Sequence, residues 1–322
     1  REERCRVSYD DESLGRNVAI SPDLLVLEEA YRPAKETAHL GHILGIHLDG
    51  HGFFQGDNVY NLPIFTNRTG IWVAGSARGP LSLEEGLQEA KATALEVSKL
   101  LGEGKQRAAE NRVQLDPRKC AICLTCYRLC PHRAVSYVNR RPAFSDLACR
   151  ACGICAAECP MDAIQMHAYT DDFLKSQIRD LNQTPSILAF CCQNSAHEAA
   201  HLAALSGVAL PATMKLIKVP CAGKVDGDYI LSAFRSGADG VMVLACHHES
   251  CKSIHGSHMA QWRVEALHAA LEESGLEKER LLFGTLAPGM MSDFVKMSQE
   301  MEKRVQARGA SAIHISPSAE FS

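Results

Sequence analysis

Residues 120–131 read Cys-Ala-Ile-Cys-Leu-Thr-Cys-Tyr-Arg-Leu-Cys-Pro, and residues 149–160 read Cys-Arg-Ala-Cys-Gly-Ile-Cys-Ala-Ala-Glu-Cys-Pro. Both are Cys-x2-Cys-x2-Cys-x3-Cys-Pro, the spacing of a cubane iron–sulfur site given twice. Three cysteines on one tight loop can point their thiolates at three irons of one cube. The fourth lies too far along to reach that cube and ligates the other. This places Cys120, Cys123, Cys126 and Cys159 on one [4Fe–4S] cluster, and Cys149, Cys152, Cys155 and Cys130 on a second. Each proline after the fourth cysteine suits the first turn of a short helix, where its fixed φ fits and its missing N–H costs nothing. Structural zinc needs four thiolates per ion and has no use for the third Cys-x2 step or the Cys-Pro ending.

The stretches Pro131–Val135 and Pro160–Ile164 repeat one small apolar pattern, which marks an internal duplication. Region 109–170 resembles a bacterial-type two-cluster ferredoxin domain, which implies an α+β unit that carries electrons and does no bond chemistry. The other cysteines are spread unevenly. Of fourteen, Cys5 stands alone, none falls from 6 to 119, eight fall between 120 and 159, and five between 191 and 251. With no apolar stretch near Arg1 to serve as a secretory signal, so many cysteines argue for metal rather than a disulfide framework. Length alone predicts about two domains at roughly 150 residues each. The cysteine distribution instead predicts three regions: 1–108 without metal, 109–170 with eight ligands, and 171–322 with a second set. A net charge of −4 excludes a nucleic-acid surface built on bulk positive charge. No apolar run approaches the roughly 18 to 20 residues of a membrane span. A cytoplasmic protein is expected, reaching a membrane only through partner subunits.

From residue 186 onward, β-rich runs alternate with helical ones. Ser186–Phe190, Leu216–Val219, Gly240–Leu244 and Leu281–Phe283 are strand candidates. Helices are expected around 195–206, 226–236 and 259–274, with a last one to about 306. This alternation predicts βαβ units and a parallel sheet. Cys191 and Cys192 follow the first strand, Cys221 the second and Cys246 the third, with Cys251 in the next loop. All sit at the carboxyl ends of parallel strands, where open α/β sheets collect ligands. Four thiolates converging there suit an iron–sulfur centre or a zinc ion. Buried inert cysteines are the bland alternative. His247, His248, His255 and His258 add a further one, since Cys-x4-Cys-x3-His-x2-His can hold zinc; a solvated, partner-facing loop is the simpler account.

This stretch resembles a named family. Phe190-Cys191-Cys192-Gln193-Asn194-Ser195, Val219–Asp226, Gly237–Val241 and Ala245–Cys251 are similar to motifs of the delta subunit of methyl-viologen-reducing hydrogenase. The resemblance implies a [2Fe–2S] cluster, with Cys192, Cys221, Cys246 and Cys251 as its ligands by position. That family's first motif usually has a Cys-x2-Cys step, whose second position here is Ser195, so Cys191 and Cys192 both stand as candidates for the first ligand.

In the N-terminal region, Asp23–Leu27 reads as a strand, and Ile64–Gly70 leads through a polar turn into another, Ile71–Gly75. An amphipathic helix follows, with Ser82 as N-cap and Glu84 and Glu85 in its first turn. A glycine-bearing strand end that meets a helix N-terminus can bind an anion or a flavin edge through backbone N–H groups. Asp23–Leu27, Leu44–Ile46, Gly52–Gln55 and Thr69–Pro80 resemble the end of the flavin domain in the A-type subunit of heterodisulfide reductase. That likeness implies FAD, approached by Gly75 and Ser76. No Gly-x-Gly-x-x-Gly occurs in the chain, so the pyrophosphate-binding half of a dinucleotide fold is expected from a longer polypeptide or a partner chain.

The order of a flavin-domain tail, a two-cluster ferredoxin unit and a delta-subunit-like domain resembles the B-type subunit of quinone-interacting membrane-bound oxidoreductases. It is also similar to fused forms of the heterodisulfide reductase A-type subunit. The expectation is α/β overall: a partial flavin-binding domain, a ferredoxin-like domain and a C-terminal parallel α/β domain. The implied function is electron transfer between FAD, two [4Fe–4S] clusters and a [2Fe–2S] cluster in a heterodisulfide-reductase-like complex with hydrogenase or dehydrogenase partners. Two rivals stand beside it. One is a thiol–disulfide reductase using Cys191 and Cys192, or Cys246 and Cys251. The other is a zinc-stabilised docking module. No catalytic side chain is identified.

Overall fold

The computed structural model describes residues 5–11, 16–27, 30–57, 61–102, 112–179 and 186–311. The boundary expected between 108 and 109 lies outside the described residues, as do Arg1–Arg4. The fold is mixed α/β, with a parallel sheet in its C-terminal part.

The first hundred residues carry little core. β1 (Val7–Asp11) and β2 (Arg16–Ile20) form an antiparallel hairpin. α1 (Thr37–Leu44) ends on Gly45 in the left-handed region, the usual way to close a helix without a Cβ penalty. α2 (Leu83–Gly102) starts as expected. Ser82 Oγ accepts from Glu85 N, while the Glu85 carboxylate accepts from Ser82 N at 2.8 Å, a reciprocal capping box. No α2 residue is buried, although its pattern is amphipathic. The strands expected at 23–27 and 71–75 do not form. Leu24, Val26 and Leu27 are exposed, and the second stretch makes only the single bridge of Trp72 to Phe65. β-rich composition needs a neighbouring strand to take its N–H and C=O groups, and no strand among the described residues lies beside either run.

The middle stretch is built twice, 29 positions apart, as Cys120 and Cys149 set it. β3 (Val113–Leu115), α3 (Thr125–Leu129) and β4 (Val135–Val138) are repeated as β5 (Arg141–Phe144), α4 (Ile154–Ala157) and β6 (Ile164–Met166). The halves embrace each other: β3 pairs antiparallel with β6, and β4 with β5. The small core between them holds Val135, Ala156, Ile164 and Met166 beside the cysteines.

α5 (Asp171–Arg179) leads into a four-stranded, all-parallel sheet of order β10-β9-β7-β8. Its strands are β7 (Ile187–Cys192), β8 (Met214–Val219), β9 (Gly240–Ala245) and β10 (Leu281–Thr285). Every residue of β7 and β9 is buried, as a sheet covered on both faces requires. α6 (Ala196–Leu205) and α9 (Met291–Arg308) pack on one face, while α7 (Gly227–Arg235) and α8 (Gly256–Glu273) join α5 on the other. The chain passes from β7 to β8 on one side, then crosses to β9 on the other. The carboxyl ends of β7 and β9 therefore form the topological switch point, where open α/β sheets hold ligands. Among the described residues, no helix is long and apolar enough to cross a membrane.

A buried cation ties the start of α5 to the loop after β8, on the side of that loop that faces the second cysteine motif. Lys224 Nζ, almost fully buried, donates to Asp171 Oδ1 at 2.9 Å and to Tyr229 Oη at 2.5 Å, and Tyr229 also donates to Asp171. Burial opposes the Asp171 charge, but hydrogen bonds from Tyr229, Gln165 and Lys224 outweigh it and hold the carboxyl below its usual range. Removing one partner of a buried pair strands the other. Lys224→Ala is expected to destabilise the chain by about 3 kcal/mol, read from the midpoint of chemical denaturation. A loss below about 0.5 kcal/mol, typical of an exposed pair, would show that the pair is solvated.

Candidate metal centres

The duplicated loops owe their curvature to backbone that most residues avoid. Ile122 and Leu124 in the first loop, and Ala151 and Gly153 in the second, all have positive φ, as do Arg133 and Asp162 after the two prolines. Each such non-glycine residue costs about 1–3 kcal/mol and persists only where its surroundings impose it. The effect is to turn each Cys-x2-Cys-x2-Cys run inward. One cavity is lined by Cys120, Cys123, Cys126 and Cys159, the other by Cys130, Cys149, Cys152 and Cys155. The fourth cysteine of each motif thus faces the three thiols of the other motif, the crossing expected from spacing. Backbone N–H groups point at the sulfurs in matching positions: Ala134 N to Cys130 Sγ and Ala163 N to Cys159 Sγ, each at 3.3 Å.

Burial pushes the Cys152 thiol up to about 12 and raises Cys155, Cys149 and Cys126 as well. Cys123 is exposed, and hydrogen bonds from Thr125 lower it. Such thiols ionise together only around a cation, and an all-thiolate donor set is the soft kind that selects iron–sulfur clusters or zinc.

A third set lies at the switch point of the sheet. Cys192 ends β7, Cys221 follows β8, Cys246 follows β9, and Cys251 comes after a short helical turn at His248–Ser250. All four are buried. Cys192 neighbours Cys221 and Cys246, and Cys251 neighbours the same two, so the thiols close a ring. The Sγ atoms of Cys192 and Cys246 are 3.6 Å apart. Four thiolates at about 2.3 Å from one tetrahedral ion would stand about 3.8 Å from each other, so the spacing already suits shared metal. Gly223 N points at Cys221 Sγ at 3.4 Å.

Cys191, expected as a possible ligand, does not belong here. Successive side chains of a strand point to opposite faces, and Cys191 turns into the core under α6 and α9, with its Sγ 3.7 Å from Ala189 O. Burial drives its thiol well above the usual range. Cys191 and Cys192 therefore cannot act as an adjacent redox pair. The histidines do not assemble a zinc set either. His247 contacts Thr285 and Met290, while His248 bonds Ser257 and stacks on His258 with centroids 3.9 Å apart.

Gly75 and Ser76, expected near a flavin, lie in a short 3₁₀ turn rather than at a strand end. Gly75 N donates to Glu89 Oε2 of α2 at 2.8 Å, and Arg78 pairs with Glu89 at 2.7 Å. The backbone group expected to approach the flavin is already engaged.

Contacts between the regions leave no trace in the sequence. A Cβ on Gly153 would lie 2.9 Å from the Lys224 stem, and one on Gly223 2.7 Å from Ile154. Arg263 joins Glu158 at 2.7 Å to Gly223 O at 3.0 Å. The loop of the second motif thus lies directly against the loop that presents Cys221. On the other side, Arg68 donates to His132 O at 2.8 Å and His47 approaches Pro131 O at 3.3 Å. Burial, with Arg150 beside it, lowers the His132 pKa to about 4. A cleft of about 510 Å³ runs between the N-terminal region and Cys251.

Residues 187–309 match the family described as methyl-viologen-reducing hydrogenase, delta subunit. The chain is 30% identical over 306 residues to the A-type subunit of the ferredoxin:CoB-CoM heterodisulfide reductase of Methanosarcina mazei, covering 92% of this chain and 39% of that protein. It is 31% identical to the A-type subunit of the ferredoxin/F(420)H(2)-dependent CoB-CoM heterodisulfide reductase of Methanosarcina acetivorans, covering 87% of this chain and 37% of that one. It thus spans about two fifths of the length of these relatives. Over 125 residues it is 36% identical to the D-type iron-sulfur subunit of the vhu F420-non-reducing hydrogenase of Methanocaldococcus jannaschii, covering 39% of this chain and 93% of that protein.

Gly256 is the tightest point of the third set: a Cβ there would lie 2.3 Å from Cys221 Sγ and 3.6 Å from Cys251 Sγ. Gly256→Ala is expected to displace Cys221 and cost about 1–3 kcal/mol, as overpacking does. A denaturation midpoint equal to the parent's would show room that the geometry does not give.

Proposed function

The chain belongs to the family of the methyl-viologen-reducing hydrogenase delta subunit through residues 187–309 and is a relative of the heterodisulfide reductase A-type subunit over nearly its whole length, and we propose that it is an electron-transfer subunit of a heterodisulfide-reductase-like complex. The observation that carries this reading is the assembly of twelve cysteines into three sets of four, each drawn from separate stretches of chain, with the loops of neighbouring sets in contact. In this reading residues 109–170 form the two-cluster ferredoxin domain, and Cys192, Cys221, Cys246 and Cys251 hold a [2Fe–2S] centre. Bound there, the two [4Fe–4S] clusters and the [2Fe–2S] centre supply one-electron redox chemistry.

The residues of this chain hold, shield and tune. Ala134, Ala163 and Gly223 aim N–H groups at ligand sulfurs, and such bonds are one lever on reduction potential. The Lys224 stem and Gly223 lie against Gly153 and Ile154 of the second motif, Arg263 pairs with Glu158 beside them, and Asp171 and Tyr229 hold the Lys224 charge. The first two sets are linked by neighbouring thiols, Cys155 standing close to Cys126, and the second is joined to the third by the contacts of Gly153 with Lys224 and of Gly223 with Ile154. FAD, shared with a partner chain, is assigned to residues 1–108. Hydrogenase or dehydrogenase subunits are the expected partners, in the cytoplasm.

Iron analysis with EPR tests this. Cys126→Ser and Cys159→Ser are expected to damage the same cluster, although 33 positions separate them; damage to different clusters would break the assignment. Cys221→Ala is expected to abolish the signal of the third centre, whereas Cys191→Ala leaves it intact. Zinc in place of iron at that centre would end the [2Fe–2S] reading in favour of a docking module. The 322-residue chain alone is expected to retain little or no FAD, and stoichiometric flavin absorbance would overturn that.

A further inference from the structure

The two cysteine cavities come from one repeated motif, yet one of them holds a polar group that the other lacks. Along the duplication, positive φ recurs at Ile122 and Ala151, at Leu124 and Gly153, and at Arg133 and Asp162. The N–H-to-sulfur bonds of Ala134 and Ala163 recur as well. At the equivalent positions 132 and 161 the agreement ends. Met161 is 49% exposed at the rim of its cavity, whereas His132 is 2% exposed and lines the cavity of Cys130, Cys149, Cys152 and Cys155.

Neither Nδ1 nor Nε2 of His132 has a hydrogen-bond partner among the described residues. A neutral imidazole carries one N–H in either tautomer, and a buried donor left unpaired is a cost that folded proteins seldom accept. The residue is held in place by the bonds to its own and its neighbour's carbonyl, from Arg68 and His47. His132 lines the cavity of the second set, with Cys251 of the third set also near it, and the acceptors that four thiolates gather in that cavity are sulfurs.

We propose that His132 donates a ring N–H to a sulfur of the iron–sulfur centre held by Cys130, Cys149, Cys152 and Cys155, raising the reduction potential of that centre. The inference rests on the iron–sulfur reading above. Reduction adds one electron, whose charge spreads onto the sulfurs, and a donor strengthens its bond to a more negative acceptor. His132 is therefore a positioning and tuning residue. The sister centre has only Met161 at this place.

The test is an EPR-monitored redox titration of the full 322-residue chain, unsubstituted and with His132→Met, the residue of the sister repeat, or His132→Gln, which keeps a donor. His132→Met is expected to lower the midpoint of one cubane centre so that its reduced-to-oxidised ratio at fixed potential falls about tenfold, which is 59 mV for one electron. The other centres should hold their midpoints, and His132→Gln should recover most of the shift. Equal midpoints in the parent and His132→Met, with equal iron, overturn the proposal. Pulsed EPR of the unsubstituted chain with ¹⁵N-labelled histidine gives a readout that needs no variant: hyperfine coupling of one histidine to a cubane centre is expected. Iron without that coupling overturns this inference alone, and absence of iron from the cavity overturns the iron–sulfur reading with it.

Discussion

Four thiols converging on one buried point are harmless as thiols and intolerable as bare thiolates, so their arrangement depends on positive charge placed among them. The chain gathers four thiols in this way three times. Ordinary packing gives no reason for it: a lone buried cysteine behaves as a small apolar group, as Cys191 does under α6. The strained loops at Ile122, Leu124 and Ala151 spend conformational energy to aim sulfur inward. Because the cysteines of each set come from distant stretches, a metal held by them would couple its binding to folding.

The contacts between the regions follow from the same requirement. The second motif and the Cys221 loop approach so closely that Gly153 and Gly223 leave no space for a Cβ, and Lys224 threads between them with its charge paired on Asp171. Glu158 and Arg263 close the same seam from the side. A charge buried at a contact is a poor source of stability but a good source of register. Here register means that one sulfur set stands at a fixed place relative to the next, which electron transfer needs and simple docking does not.

Much of this is legible in the sequence, for identifiable reasons. The doubled cysteine spacing dictates the crossing of Cys130 and Cys159, because a loop of that length cannot bring its fourth thiol home. The alternation after residue 186 marks the parallel sheet nearly to the residue, since both-face burial leaves unbroken apolar runs such as Gly240–Ala245. The choice between Cys191 and Cys192 is not legible. With both faces of β7 buried, hydrophobic alternation carries no sign, and only the placement of Cys221 and Cys246 shows which face matters. The N-terminal strands mislead because Leu24–Leu27 and Ile71–Val73 have strand composition without a neighbour to pair with. Gly256, Lys224 and His132 leave no local signal at all, because each answers to a partner far away in the chain.

A duplication by itself would produce two equivalent centres, and equivalent centres give electrons no preferred direction. Direction requires that the surroundings differ where the ligands do not. The first set keeps Cys123 exposed, which on the electron-transfer reading leaves it open to a donor or acceptor. The second is enclosed, with the N-terminal region pressing on Pro131 and His132 and the C-terminal loop on Gly153. The third is buried beneath the cleft that ends at Cys251. Burial disfavours added charge, whereas donors to sulfur favour it. An iron–sulfur centre enclosed at the middle set would therefore be harder to reduce, unless a donor is enclosed with it. His132 is the group that the fold encloses there, and on the proposed reading it supplies that donor where the sister repeat carries methionine.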